Sequence, residues 1–397
     1  MRTVLLYLSA VILGGAGAWV VAKWGKQLSL IDKANHRSSH DGVVPKGGGI
    51  GILAAFLLAS WVLGLPILFW MCVGLVSVLS LYGDRHEIPP KVRLCIQFLA
   101  AFFLVIAVFP GFSSILSIFR SPSSVFCLLF FSVFVVGTAN YYNFMDGING
   151  IAGITGIVAF GLISLFGVLS GANELFLILS GCMGFACLGF LPFNIPKARV
   201  FMGDVGSVLL GFVYAGLVVG LSHSLNDFVV LSGFLFPFYA DELTTVYARL
   251  RDELLPEGRG RRTEDGGRRA EDGGRRTGSR RNGMIRMTGF GRDGWMNGRM
   301  EVRRCVRRVA GAMGVLMTPH RRHVYQLLAN EMGIEHWKVS VGYGVLQTVV
   351  GIGAMVLRGY GEPAIIFFLG ACFVGFCCFG YWVRKRSKLM TVAHSTH

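Results

Sequence analysis

The chain reads as an all-α polytopic membrane protein of about eleven transmembrane helices, with a reaction site at one membrane face. Three observations predict this. Hydrophobic residues make up 53% of its 397 positions and charged residues only 15%, with mean hydropathy +0.58, whereas a soluble domain is nearer a quarter charged. Apolar stretches of about 20 residues, the length that crosses a bilayer, recur from end to end. Ionisable residues collect in short clusters at the ends of those stretches, as their cost in hydrocarbon requires.

Taken in order, the expected spans lie near 3–22, 47–65, 66–82, 94–111, 124–140, 150–170, 174–191, 206–222, 226–246, 338–358 and 362–383. The first has Arg2 and a small-residue patch, GGAGA, like a signal peptide. More positive charge follows it than precedes it, which favours an uncleaved anchor. The second and third are divided only by Gly64 and Pro66. Lys and Arg in the connecting segments alternate in abundance. Leaving out the long loop at 247–337, one side carries 14 and the other 3, namely Arg2, Arg120 and Arg358. Positive charge stays in the cytoplasm, so the N-terminus is expected outside and the C-terminus inside. All the polar clusters then face the cytoplasm.

Residues 256–316 differ from everything around them. RRTEDGG repeats as RRAEDGG, and 16 Arg against 7 Asp and Glu give this stretch +9 of the total net charge of +16. Such a Gly- and Arg-rich sequence lacks the apolar surface to fold alone. The expected organisation is therefore a membrane core over 1–255, a disordered cytoplasmic insertion over 256–316, and a histidine-bearing loop with the last two spans over 317–397. The remaining charge is ordinary for basic loops, and no nucleic-acid partner is expected. Nine scattered cysteines, none in a CxxC pair and all but Cys305 in or beside apolar stretches, imply no disulfide framework.

Five segments carry candidate chemistry. In NYYNFMDGING, the residues Asn140, Asn143, Asp146 and Asn149 recur every third position and would form one polar stripe at a helix end. Carboxamides can read a base or sugar through paired hydrogen bonds. In NIPKARVFMGDVGS, Asp204 stands in a Gly-rich turn before a span. Such a turn presents backbone N–H groups to anions, and an acidic residue there suits a divalent metal or a plain helix cap. Asn194, Lys197 and Arg199 lie just upstream. In GDRHEIPPKVR, Asp84 could act as base or metal ligand, and Arg85 and Arg93 could clamp phosphate. TPHRRHVYQ reads as a helix start with Thr318 as cap and Pro319 in its first turn, placing His320 and His323 on one face beside Arg321 and Arg322. Finally, DKANHRSSHDGVVPKGGGIGI offers Arg37, His40 and Lys46, either as a phosphate site or as a plain basic loop.

Together the segments resemble the polyprenyl-phosphate N-acetylhexosamine-1-phosphate transferases, the glycosyltransferase family 4 superfamily of MraY- and WecA-like enzymes. RSSHDGVVPKGGG, NFMDGING and HRRHVYQ look most like the branch that initiates O-antigen or related surface-glycan synthesis. The resemblance implies transfer of an N-acetylhexosamine 1-phosphate from a UDP-sugar to polyprenyl (undecaprenyl) phosphate, with release of UMP. It implies Mg2+, with Mn2+ as an alternative, bound at Asp204 and Asp84. Asp84, Asp204, His320 and His323 become the catalytic candidates. Asn140, Asn143, Asp146, Asn149 and Asn194 become the nucleotide- and sugar-binding candidates, and Arg37, His40, Lys46, Arg85 and Arg321 the phosphate-binding ones. The oligomeric state stays open, a homodimer among the options.

Three features depart from that family. Gly83 precedes Asp84 where relatives have two adjacent aspartates. Asn149 stands where many relatives have Asp, which bears on sugar choice. The 256–316 insertion falls just before the histidine segment. Two alternatives therefore stay open: a catalytically impaired relative, and a transporter, against which stands the gathering of charge on one face rather than at the midplane.

Overall fold

The computed structural model describes residues 1–27, 30–33, 43–86, 88–109, 122–254 and 323–394. Arg37, His40, Glu87, Thr318, Pro319, His320, Arg321, Arg322 and the 256–316 stretch with Cys305 lie outside the described residues. The chain divides into two compact units, residues 1–245 with 321–397, and residues 246–320. The second is described only through the end of one helix, and the first holds the helix bundle.

Helix α1 (Arg2–Trp24) leads to a two-stranded antiparallel ribbon, β1 (Ile31–Lys33) and β2 (Val43–Pro45), in which Ile31 pairs with Pro45 and Lys33 with Val43. Then come α2 (Ile50–Leu63), α3 (Ile67–Gly83), α4 (Pro90–Val108), α5 (Pro122–Met145), α6 (Ile151–Ser170), α7 (Glu174–Phe190), α8 (Asp204–Leu221), α9 (Leu225–Gly233) and α10 (Phe236–Leu254). A short turn of helix from Val324 precedes α11 (His336–Leu357) and α12 (Glu362–His394).

Every expected span corresponds to one of these helices, the ninth to the pair α9 and α10. Among the described residues, eight helices are long and apolar enough to cross a membrane, nine if that bent pair counts as one span. The shortfall from eleven lies in α2 and α3, with 14 and 17 residues. At 1.5 Å per residue they reach only about 21 and 25 Å, against a hydrocarbon core of about 30 Å. Their ends are fixed by sequence: left-handed Gly64 (φ +65°) stops α2, and Pro66 starts α3.

Helix α8 is the axis of the bundle. Every residue from Val205 to Leu221 is buried, so its one acidic residue, Asp204, sits where the axis emerges. Around it pack α3, α4 and α5: Phe69 and Leu104 close over Gly216, and the backbone of Ala139 over Gly211. Helices α9 and α10 meet at 80°. A break inside hydrocarbon frees carbonyls that water cannot reach, and side chains meet them here. The Tyr214 hydroxyl donates to Leu231 O at 2.5 Å and Gln347 Nε2 to Phe234 O at 2.7 Å.

Candidate active site

The site assembles at one end of the bundle, where α3 and α5 finish and α4 and α8 begin. The Gly-rich segment after β2 docks on the turn before α8. Phe201 N–H donates to Pro45 O (2.8 Å), Gly47 and Gly48 N–H to Phe201 O (3.1 and 2.9 Å), and Gly49 N–H to Met202 O (2.9 Å). This fixes Lys46, whose ammonium lies 3.1 Å from Asp84 Oδ1. Gly203 adopts φ +74°, and a β-carbon there would press on the Gly47 backbone and on Asp84 Oδ2. Only glycine suits that position, and its presence lets the two loops close around Asp84.

Asp204 opens α8. Its Oδ2 accepts from Arg93 Nη1 and its Oδ1 from Asn143 Nδ2, both at 2.9 Å, and the same Asn143 amide reaches Ser207 Oγ at 2.9 Å. The two aspartates differ in access: 35% of the Asp204 side chain is exposed and 3% of Asp84. Asp84 Oδ2 is buried without a hydrogen bond of normal geometry, the Val205 amide adding only a weak attraction.

Burial raises the Asp84 carboxyl to about 6, the charge of Asp204 adds to the rise, and Lys46 opposes it. Asp146 lies just past the end of α5. It keeps some surface exposure yet sits deep among protein atoms. That depth, then the charges of Asp204 and Asp84, push it up to about 7. Three carboxylates thus sense one another across three helix ends, with two cations beside them.

The polar stripe is partly realised. Asn140 and Asn143 lie on α5, but the helix ends at Met145, so Asp146 and Asn149 follow in a turn that leads to left-handed Gly150. Asn140 Nδ2 donates to Gln97 Oε1 at 2.8 Å. Asn149 Nδ2 donates to Pro196 O at 3.2 Å. Asn194 is buried and both ends of its amide hold backbone: Oδ1 accepts from Gly150 N–H (2.6 Å) and Nδ2 donates to Val200 O (2.9 Å). Arg85 is exposed beside Asp84.

His323 is not inside a helix, as the sequence suggested, but just before one, with extended backbone. The reason is Asp241 on α10. Its carboxylate takes the Val324 and Tyr325 N–H groups at 2.8 and 3.1 Å, the role a capping side chain performs. The His323 ring is buried between Asp241 (3.7 Å) and Glu242 (3.6 Å). Burial works against its protonation, but these two carboxylates outweigh burial and its pKa is raised. Sequence reasoning missed Asp241 and Glu242. The signal was available, because an adjacent acidic pair inside an apolar run demands an explanation.

Among the described residues no three His, Cys, Asp or Glu side chains form a ready metal cage. The donor set nevertheless fits magnesium, which prefers one or two carboxylates plus substrate phosphates to an all-protein cage. The carboxylates of Asp84 and Asp204, one with a buried orphan oxygen, are the groups that would hold it.

Residues 66–222 match the model of the family described as glycosyl transferase family 4. The match takes in the Asp84, Asn140–Asn149 and Asp204 segments. The chain is 31% identical over 251 residues to an undecaprenyl-phosphate alpha-N-acetylglucosaminyl 1-phosphate transferase of Escherichia coli K12, covering 59% of this chain and 67% of that relative. A relative of the same name from Thermotoga maritima is 28% identical over 228 residues, 55% of this chain and 66% of its own length.

Proposed function

Because the chain belongs to glycosyl transferase family 4, we infer that it transfers an N-acetylhexosamine 1-phosphate from a UDP-sugar to undecaprenyl phosphate, releasing UMP. The observation that carries the reading is the meeting of Asp84, Asp146 and Asp204 with Lys46 and Arg93 at the ends of buried helices. An enzyme joining a water-soluble nucleotide to a lipid needs such a site at a membrane face. The basic loops favour the cytoplasmic face of a bacterial inner membrane. The names of the relatives favour GlcNAc as the sugar. Nothing in the site or in the relatives favours the transporter reading.

The chemistry is a displacement at phosphorus. A lipid phosphate oxygen forms a bond to the β-phosphorus of the UDP-sugar, the bond from that phosphorus to the bridging oxygen breaks, and UMP leaves with the bridging oxygen. A phosphate monoester has its second pKa near about 6, so the nucleophile is largely ionised at neutral pH and needs little help from a base. Lys46 and Arg93 are the cations placed to steer the phosphates. Asn143 orients Asp204 by holding Oδ1. Magnesium, when bound at Asp204 and Asp84, would neutralise diphosphate charge and polarise it toward attack. Manganese has the same ligand preferences.

The test is UMP release by the purified protein in detergent, from UDP-GlcNAc or UDP-FucNAc and undecaprenyl phosphate, with magnesium or chelator. Release that needs magnesium and vanishes in Asp204→Ala supports the reading, and the better donor names the sugar. No release with any UDP-sugar from folded protein would instead favour an impaired relative, with Gly83 the first suspect.

A further inference from the structure

We propose that Asp241 is a positioning residue for the active site: through Tyr325 it sets the turn that carries Asp146, a role that rests on the transferase reading above. Asp241 is wholly buried. An ionised carboxylate in such surroundings is strongly disfavoured unless its lone pairs are filled. Here they are. Oδ1 accepts from Val324 N–H (2.8 Å) and Thr245 Oγ1 (3.2 Å), and Oδ2 from Tyr325 N–H (3.1 Å) and the Tyr343 hydroxyl (2.6 Å). One side chain on α10 thus ties the start of the 323–331 segment to α11.

The tie continues to the carboxylates. Tyr325 is fully buried, its ring edge-on to Tyr343. Its hydroxyl donates to Phe144 O at 3.1 Å. Phe144 lies in the last turn of α5, where carbonyls have no partner within the helix, and Asp146 follows two residues later. A β-carbon at Gly147 would collide with the same hydroxyl oxygen, so the turn fits the tyrosine closely. The path from Asp241 to Tyr325 to the 144–147 turn is continuous, made of buried groups with defined partners.

The path also answers a difficulty posed by the sequence. The histidine segment follows a long insertion, and something must hold its start at a fixed place. A fixed carboxylate that captures two consecutive N–H groups does so whatever the length of chain before it.

The test compares Asp241→Asn, Tyr325→Phe and the double variant in the full-length protein, by hydrogen exchange and by UMP release. Asn keeps the shape but cannot accept from all four donors, and Phe removes only the hydroxyl. Each single variant is expected to raise exchange in the peptide spanning 144–149 while the 88–93 segment stays as in the wild type. Each is expected to lower kcat/KM about tenfold, and the double variant to be no worse than either single, the mark of groups that act as a unit. Exchange at 144–149 unchanged in both singles would overturn the proposal. So would activity losses that multiply to about a hundredfold in the double. If Asp241→Asn fails to fold, Tyr325→Phe alone must show the change at 144–149. If the wild type releases no UMP, the transferase reading fails, and the exchange measurement still decides whether Asp241 sets the turn.

Discussion

Asp84 and Asp241 are carboxylates with almost no solvent contact, and the structure treats them in opposite ways. Asp241 accepts from four donors that fill both oxygens, with the His323 ring beside them. Asp84 has Lys46 on one oxygen and nothing of normal geometry on the other, with Asp204 and Asp146 adding repulsion. Burial alone therefore does not mark a working group. A saturated buried charge is scaffold. An unsaturated one, held among like charges by surrounding backbone, keeps an oxygen that a ligand can still satisfy.

The largest expected effect lies on the working side. Asp204→Ala should reduce UMP release by at least about a hundredfold, the scale of losing a key electrostatic group at a reacting phosphate, and chelator should do the same to the wild type. Next come paired stability effects that would break the comparison. Asp241→Asn should destabilise by about 1–3 kcal/mol, because buried donors lose their acceptor. Asp84→Asn should cost activity yet leave the ligand-free protein as stable or more so, since it removes a desolvated charge. Thermal unfolding in detergent checks both. Equal destabilisation by the two variants would erase the distinction.

Titration sharpens the same contrast. In the folded protein Asp84 is raised from 3.8 to about 6 and Asp146 to about 7. A folded pKa above the unfolded one means that the folded state holds its proton more tightly. Their stabilisation is thus present below about pH 4 and lost as pH climbs through 6 and 7. His323, also raised, adds a loss in the same direction above its ordinary value of 6.5. Tm should therefore fall between pH 5 and pH 8, less steeply in Asp146→Asn. Magnesium should restore Tm more at pH 8 than at pH 6, since it competes with those protons. A flat profile would mean that the carboxylates do not repel as described.

Much of this was legible in the sequence. The spans follow from apolar length, and each one expected is matched by a helix or by the bent pair, because hydrophobic runs leave the backbone few alternatives in lipid. The Asp84, Asn143 and Asp204 segments announced themselves as polar groups at span ends, and the structure brings them together. Pairings were not legible. That Lys46 reaches Asp84 depends on backbone hydrogen bonds between residues 45–49 and 201–202, about 150 positions apart, which no local pattern encodes. Asn194 looked like a ligand-binding amide because composition cannot tell an amide that faces a ligand from one that ties Gly150 to Val200. The helix start expected at Thr318 and Pro319 lies outside the described residues; His323 stands before a helix rather than inside one, and the cap of that helix comes from Asp241, on another helix.

A smaller effect is expected from Lys46→Met. It leaves Asp84 without its cation, so Asp84 should hold its proton to higher pH. Because Lys46 is a quarter exposed (26%), the coupling is softened by solvent. A loss in kcat/KM of about tenfold, partly recovered by raising the pH or the magnesium concentration, is the expected pattern. Loss that neither change relieves would place Lys46 on the substrate itself rather than on Asp84.

The smallest effect expected is that of Gly83→Asp. Position 83 ends α3, and among the described residues a β-carbon there would meet only Ile88, its Cδ1 nearest at 3.5 Å, an ordinary contact. The side chain therefore has room, and fold disruption is not expected. Electrostatics gives the direction. A fourth carboxylate near Asp84 adds repulsion, so the ligand-free protein should lose about 1 kcal/mol at pH 8 and bind magnesium several-fold more tightly. Turnover should change by less than about threefold, because the lipid phosphate is already ionised near neutral pH. A rise of a hundredfold would mean that a carboxylate at position 83 takes a proton in the reaction. Wild-type turnover would then reflect what Asp84 alone can supply, and the site at the ends of α3 and α8 would be incomplete rather than merely rearranged.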